Sequence, residues 1–149
     1  MSHSVVIGLG QTGVSCARYL ASKGERFAIA DTRYNPPGLA DIEREFPDVE
    51  LWLGPLDVGL LCEASQLVVS PGIAISEPAI ARAMDAGVPV IGDVELFARE
   101  VAAPVIAITG SNAKSTVTSL VGHMAKKAGI DVGVGGNIGL PVLELLAQG

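Results

Sequence analysis

The sequence is poor in cysteine, in aromatic residues and in clustered positive charge. Its two cysteines, Cys16 and Cys62, lie among apolar residues and form no CxxC pair, so we expect both to be reduced and structural. The formal net charge is -6, and Lys126 and Lys127 form the only pair of adjacent cations. This charge distribution argues against binding to a nucleic-acid backbone.

The sequence also lacks features of export, of membrane insertion and of a histidine-based metal site. Residues 101–113 carry no charge, but they are too few to span a bilayer and are interrupted by Pro104 and Gly110. The first ten residues, MSHSVVIGLG, start a strand almost at once and have no charged leader region, so we predict no signal peptide. His3 and His123 have no partner at metal-ligand spacing. We therefore expect a cytoplasmic protein without membrane insertion.

Apolar residues and glycine are abundant instead. The chain is 49% hydrophobic and contains 18 glycines, which is typical of a compact α/β protein with tight turns between strands and helices. Short apolar runs alternate with helical patterns, and this alternation predicts βαβ units and a parallel sheet. We predict strands at 4–7, 27–30, 49–53, 67–69, 88–91, 105–108 and 132–134, and helices at 14–23, 39–46, 77–86, 94–101, 115–128 and 141–147.

Two units consist of a strand, a glycine-containing loop and a helix, at residues 5–21 and 105–124. Two such units suggest two nucleotide-handling domains, with a boundary near Gly92 and Asp93, where Asp93 would be the N-cap of the next helix. We predict a complete α/β domain with a Rossmann-like parallel sheet at 1–92. Residues 93–149 are then the incomplete beginning of a P-loop-type α/β ATPase domain.

The segment Gly8–Gly13, with the sequence GLGQTG, matches the pattern G-x-G-x-x-G between a predicted strand and a predicted helix. Glycines at these positions let the backbone turn tightly and approach a diphosphate closely. The helix N-terminus then offers free N–H groups and a partial positive charge. This placement favours a phosphate-bearing ligand, and the alternative is a tight turn that binds nothing.

Polar residues follow two other predicted strands. Asp31 would accept hydrogen bonds from ribose hydroxyls or from a nucleobase N–H, or it would act only as a cap or turn residue. Thr32 and Arg33 come next, and Arg33 either reaches a ligand or faces solvent. The segment 70–72 ends another strand, where the ligand crevice of an open parallel sheet lies, although a plain turn is the alternative.

A second phosphate-loop-like segment is Thr109–Thr116, with the sequence TGSNAKST. Lys114 can bridge phosphates, the hydroxyl of Ser115 or Thr116 can ligate Mg²⁺, and backbone N–H groups of the loop can cradle phosphates. The strict P-loop pattern is not met, because glycine is missing at two positions, one of them Ala113. The alternative is a capped helix start with a solvated lysine.

A third glycine-rich segment is Gly133–Gly139, with the sequence GVGGNIG. Its glycines permit close approach of the backbone to a ligand, and the amide of Asn137 can donate or accept hydrogen bonds. A flexible turn is the alternative.

Together these segments resemble the Mur ligase family, in its D-glutamate-adding branch, over all 149 residues. Each segment is modest alone, and their order and spacing make the joint match specific. The segments are GLGQTG at 8–13, DTR at 31–33 followed by NPPGL, SPGI at 70–73, GDVELF at 92–97, PVIAITGSNAKSTVTSLVG at 104–122 and GVGGNIGLP at 133–141.

The resemblance implies that the first domain holds the uridine diphosphate of UDP-N-acetylmuramoyl-L-alanine rather than NAD. It implies an ATP- and Mg²⁺-dependent ligation through an acyl phosphate, which the amine of D-glutamate then attacks. The substrate-binding residues implied are Gln11, Thr12, Gly13, Asp31, Thr32, Arg33, Ser70, Pro71, Gly72 and Asn137. The ATP-binding residues implied are Gly110, Ser111, Asn112, Ala113, Lys114, Ser115 and Thr116, with Lys114 catalytic and Ser115 a Mg²⁺ ligand.

Two departures from the family pattern matter. The family loop has glycine where Ala113 stands, and alanine costs about 1 kcal/mol if that position needs a positive φ. We still expect phosphate binding there. The D-glutamate site and further Mg²⁺ ligands that the resemblance implies lie beyond Gly149, so we expect these residues alone to lack ligase activity. We also expect a monomer. The alternatives are an NAD(P)-dependent oxidoreductase, a non-catalytic nucleotide-sensing module, or another step catalysed by the Mur family.

Overall fold

A parallel five-stranded sheet forms the centre of the fold in the computed structural model, which describes residues 3–148. The strands are β1 Ser4–Ile7, β2 Phe27–Asp31, β3 Glu50–Leu53, β4 Gln66–Val69 and β5 Val90–Ile91. Their order in the sheet is β3-β2-β1-β4-β5, and every neighbouring pair is parallel. This order is that of a Rossmann-like sheet, which confirms the predicted fold class.

Helices connect and flank these strands close to the predicted positions. The bounds are α1 Gln11–Ser22, α2 Leu39–Glu45, α3 Val58–Cys62, α4 Pro78–Asp85, α5 Asp93–Glu100, α6 Lys114–Lys127 and α7 Val142–Ala147. Asp93 is the first residue of α5 rather than its N-cap, which is Gly92. The sequence prediction missed α3, because five residues are too few to show a helical period. Asp57 caps α3 by accepting a hydrogen bond from the N–H of Leu60 at 3.1 Å.

The sheet buries apolar residues on both faces, because side chains alternate along a strand. Val5 and Ile7 of β1 point into the cluster covered by α3 and α4. Val6, between them, points into the opposite cluster, which α1 covers with Val14 and Leu20. β1 is therefore buried on both sides and is the best-anchored strand from which a loop can be presented.

Helices α5 and α7 complete the second cluster. Leu96 of α5 and Val142 and Leu143 of α7 are buried together with residues of α1 and β1. The two helices also contact each other. The segment before α7, which contains the third glycine-rich motif, is thus anchored to the same core as the loop after β1.

Two predicted strands, 105–108 and 132–134, do not form. Residues 101–110 have no regular structure, and Val105 and Ile106 are 54% and 73% exposed. A β-strand is stabilised by hydrogen bonds to a neighbouring strand, and within residues 3–148 no segment pairs with either run. Close to the second run there is only an isolated bridge between Gly135 and Leu140.

Both cysteines are free, as predicted. Burial, with a smaller contribution from the charge of Asp93, raises the pKa of the Cys16 thiol to about 12. The thiol therefore stays protonated at neutral pH and acts as a small apolar side chain. In the part of the chain that the structure covers, none of the helices is both long and apolar enough to cross a bilayer.

Candidate nucleotide-binding site

The parallel arrangement of the strands brings three predicted motifs, at 8–13, 31–33 and 70–73, to one edge of the sheet. The carboxyl ends of β1, β2 and β4 lie side by side, since β1 is paired with both of the others. Backbone hydrogen bonds continue this pairing just past the strand ends, from Gly8 N–H to the Ala30 carbonyl at 2.8 Å and from Ser70 N–H to the Ile7 carbonyl at 2.9 Å. The order of the strands reverses between β1 and β4, which is where open α/β sheets bind ligands.

The loop after β1 depends on close backbone packing. Gly8 has φ +96°, a conformation that favours glycine. Its carbonyl accepts a hydrogen bond from the hydroxyl of Ser70 at 3.0 Å, which ties the loop to the end of β4. Gly13 lies against the same carbonyl, so that an added Cβ would meet the Gly8 oxygen at 2.0 Å. The loop and the start of α1 therefore form one tightly packed turn.

The N-terminus of α1 is open to an anion. Its N-cap residue is Gly10, which has no side chain that could cap the helix, and the first turn contains no acidic residue. The first N–H groups of a helix have no partner within the helix and carry a partial positive charge. Gln11 and Thr12 present these groups at the mouth of the loop, which suits a phosphate group.

Asp31, at the end of β2, holds the loop after β1 in place through its buried carboxylate. Its side chain is fully buried, and one carboxylate oxygen accepts a hydrogen bond from the N–H of Leu9 at 2.6 Å. The carboxylate also accepts hydrogen bonds from the backbone N–H of Arg33 at 2.8 Å and from the guanidinium of Arg33 at 2.8 and 2.7 Å. Asp31 therefore links the glycine loop to the residues after β2, and its direct contact with a ligand stays a prediction.

Electrostatics favour the charged form of this pair. Burial would raise the pKa of the Asp31 carboxyl, but hydrogen bonds from the Arg33 side chain and from Leu9 N–H outweigh it and lower the pKa. The side-chain hydrogen bonds to Asp31 raise the pKa of Arg33, whose side chain is half exposed. Arg33 is thus held at the edge of the site with part of its guanidinium open to solvent.

A crevice of about 630 Å³ lies at this edge of the sheet. All of the predicted substrate-binding residues line it except Gly13 and Asp31, which are buried. The segment that contains Asn137 forms the remaining wall. The lining residues are Gly8, Gly10, Gln11, Thr12, Thr32, Arg33, Ser70, Pro71, Gly72, Ile73, Gly136, Asn137, Gly139 and Pro141.

Some residues of the site were not predicted from the sequence. The N–H of Leu9 positions the loop through Asp31, although Leu9 looks like an ordinary core residue in the motif. Pro141 lines the crevice and precedes α7. The sequence contains a signal for Pro141, because this residue ends the segment GVGGNIGLP at 133–141 on which the family resemblance rests.

The second predicted phosphate loop is exposed and lies at the N-terminus of α6. Ala113 is the N-cap, with φ +59° and ψ +12°, and is the only residue other than glycine with a positive φ among residues 3–148. The ammonium of Lys114 donates a hydrogen bond to the carbonyl of Gly110, which keeps this cation at the loop. No side chain caps α6, and no acidic residue lies in its first turn. These features suit an anionic ligand, whereas no cluster of three or more acidic, histidine or cysteine side chains suitable for a metal occurs in the described chain.

Replacing Ala113 with glycine is expected to stabilise the start of α6 by about 1 kcal/mol, because the left-handed conformation is strained for alanine and not for glycine. The N–H of Val117 donates to the carbonyl of Ala113, so its amide exchange with solvent should slow. Hydrogen exchange measured by NMR reports this change.

Ala125→Gly is the matched control, because Ala125 lies inside α6. Glycine there should destabilise the helix by about 0.5–1 kcal/mol and speed exchange. Equal destabilisation by both substitutions would show that Ala113 is not strained.

The sheet order, the glycine loop and the crevice define a Rossmann-like domain. The family model for the N-terminal domain of MurD-like Mur ligases matches residues 2–92. The chain therefore belongs to the Mur ligase family, with an N-terminal domain of the MurD-like type. Membership of this family does not favour the alternative that the chain is an NAD(P)-dependent oxidoreductase.

Named relatives agree with this assignment. The chain is 59% identical over 145 residues to the UDP-N-acetylmuramoylalanine–D-glutamate ligase of Nitrosococcus oceani. It is 58% identical over 144 residues to the ligase of the same name from Pseudomonas savastanoi pv. phaseolicola. Each alignment covers 97% of this chain and 32% of the relative, so the chain spans about a third of the length of these curated relatives.

A solved structure supports the fold. A pseudomurein peptide ligase type C from Methanothermus fervidus is 27% identical and superposes with a TM-score of 0.55. The superposition covers 86% of this chain and 27% of that protein.

Proposed function

We propose that the crevice binds the uridine diphosphate part of UDP-N-acetylmuramoyl-L-alanine, and that the chain supplies this site to a cytoplasmic ligase that adds D-glutamate. The observation that carries the proposal is the convergence of four separate segments, around Gln11, Thr32, Ser70 and Asn137, on one crevice at the carboxyl edge of the sheet. Such convergence is required of a site that holds an extended nucleotide. The names of the relatives supply the particular substrate.

The residues of the crevice divide the recognition between them. The open N-terminus of α1, with Gln11 and Thr12, suits the diphosphate, because its N–H groups compensate negative charge without a cationic side chain. Thr32 and Arg33 lie after β2, where Rossmann-like sheets contact the nucleoside. Asn137 would lie toward the acyl end of the substrate.

The loop Thr109–Thr116 is the proposed ATP site. Bound ATP would supply the phosphoryl group that activates the substrate carboxylate, with Mg²⁺ partly neutralising its charge. Lys114 would move from the Gly110 carbonyl to a phosphate oxygen, and the hydroxyl of Ser115 would serve as one metal ligand. The residues present fit these roles, because the loop is uncapped and contains no competing carboxylate. We also propose that the protein is a monomer and that D-glutamate binds outside these residues.

Calorimetric titration with UDP and with NAD tests the proposal. We expect heat of binding with UDP and a much weaker response with NAD. Gly10→Ala should weaken UDP binding at least about tenfold, which is about 1.4 kcal/mol, because its methyl group occupies the mouth of the loop. The fold should persist, since Gly10 has φ -102° and no heavy atom lies within 4 Å of an added Cβ.

Ser111→Ala is the matched control in the other loop, where it should leave UDP affinity unchanged. Its residue lies outside the crevice. Tighter binding of NAD than of UDP, or no UDP binding by a folded sample, would contradict the proposal.

A further inference from the structure

One wall of the crevice is formed by a segment without regular structure. Residues 136–141 contribute Gly136, Asn137, Gly139 and Pro141 to the lining, and they are stabilised locally by a hydrogen bond from Gly136 N–H to the Leu140 carbonyl at 2.8 Å. No strand of the sheet includes them. Their position against the glycine loop therefore depends on α7, which begins directly after Pro141.

Helix α7 is held on α1 by two kinds of contact. Val142 and Leu143 are buried in the cluster that α1 covers. Beside them, the guanidinium of Arg18 on α1 donates to the carboxylate of Glu144 at 3.0 Å. Arg18 and Glu144 also line a second cavity of about 500 Å³, which shares Gln11, Gly139 and Pro141 with the crevice.

Arg18 is itself fixed by a third element. Two of its nitrogens donate to the two carboxylate oxygens of Glu45 on α2, each at 2.7 Å. This parallel pair of hydrogen bonds orients the planar guanidinium, so little further entropy is lost when Arg18 also bonds Glu144. The pairing raises the pKa of Arg18, chiefly through Glu45 and then through Glu144, and it lowers the pKa of Glu45 to about 2.

We propose that Arg18 is a positioning residue for the crevice: its ion pair with Glu144 fixes α7 on α1 and so holds the segment 136–141, with Asn137, against the UDP-binding loop. The inference rests on the proposed function, because it concerns the geometry of the same crevice. Glu144 lies less than one helical turn along the chain from Pro141, which lines the crevice. Loss of the ion pair is therefore expected to change the geometry of the crevice and not only the stability of the fold.

Four variants of the 149-residue chain test the inference by calorimetric titration with UDP. Arg18→Met keeps the apolar stem and removes the guanidinium, and Glu144→Ala removes its partner on α7. Each should weaken UDP binding about fivefold, the factor for about 1 kcal/mol, at the upper end of the range for exposed ion pairs. The double variant should bind UDP no more weakly than Arg18→Met alone, because the Arg18–Glu144 ion pair is already absent from that single variant.

Lys23→Met is the matched control. Lys23 also lies on the α1 side of an exposed ion pair, with Glu100 on α5, and it does not line the crevice. This variant should lose a similar surface interaction and keep the UDP affinity of the unaltered chain.

Hydrogen exchange supplies a readout that general destabilisation would not give. Exchange of the Gly136 amide, which donates to the Leu140 carbonyl, should become faster in Arg18→Met and Glu144→Ala, while exchange in β1 and β4 stays unchanged. Unaltered UDP affinity in both variants, or an equal loss in Lys23→Met, would overturn the role of Arg18. A failure of the unaltered chain to bind UDP would instead remove the proposed function on which the role rests, so the two failures are distinguishable.

Discussion

Replacement of Gly13 by alanine is expected to lower the free energy of unfolding by about 3 kcal/mol and to remove UDP binding. A Cβ at this position would lie 2.0 Å from the carbonyl oxygen of Gly8 and 3.0 Å from its carbonyl carbon. Both are backbone atoms that cannot rotate away, so the start of α1 and the loop after β1 would have to separate. Urea unfolding and calorimetric titration measure the two effects.

Gly72→Ala is the control for this substitution. Gly72 lines the same crevice, has no heavy atom within 4 Å of an added Cβ and does not have a positive φ. Its unfolding free energy should change by less than about 0.5 kcal/mol. If Gly13→Ala proves as stable as Gly72→Ala, the close packing of α1 on the loop is wrong.

Removal of the Asp31 carboxylate is also expected to reduce both the stability of the fold and the affinity for UDP. Asp31→Ala should lower the free energy of unfolding by about 2 kcal/mol, because the buried N–H of Leu9 loses its acceptor. The substitution also releases Arg33, so both sides of the crevice lose their common anchor and UDP affinity should fall. Chemical denaturation together with titration separates the loss of stability from the loss of binding.

The effect of Asp31 should depend on pH in a defined direction. Because the folded chain lowers the pKa of this carboxyl below its ordinary value of 3.8, its contribution is complete well above that pH and is lost as the pH falls through the lowered value. The difference in unfolding free energy between the unaltered chain and Asp31→Ala should therefore shrink below pH 3.8.

Asp41→Ala, which breaks an exposed pair with Arg44, is the control and should change stability by less than about 0.5 kcal/mol. A difference for Asp31 that stays constant into acid would refute the ion pair.

The sheet and the crevice were largely predictable, because their signals are local. The buried strands, such as β1, are short apolar runs bounded by glycine or polar turns, and the helices between them, apart from the five-residue α3, show a 3.6-residue period. Once the strands are parallel, their carboxyl ends must lie at one edge, so Gln11, Thr32 and Ser70 had to come close together. The geometry of a parallel sheet is therefore sufficient to predict that these separate motifs form one site.

Features that depend on distant or neighbouring chain segments were not predictable. Arg18 and Glu144 are 126 residues apart, and neither belongs to a recognisable motif. The run 105–108 has the composition of a strand, yet composition does not provide the neighbour that a strand needs. The sequence predicts that Asp31 contacts a ligand or acts as a turn residue, and only the structure shows that its oxygens accept hydrogen bonds from Leu9 and Arg33.

Titration of the isotope-labelled chain with UDP, followed by amide NMR spectra, tests the central claim most directly. The account predicts that the amides of Gly10, Gln11 and Thr12 shift together with those of Thr32 and Asn137, while the loop 109–116 stays unchanged. Shifts confined to the loop 109–116, or spectra of a folded chain that do not respond to UDP, would contradict it.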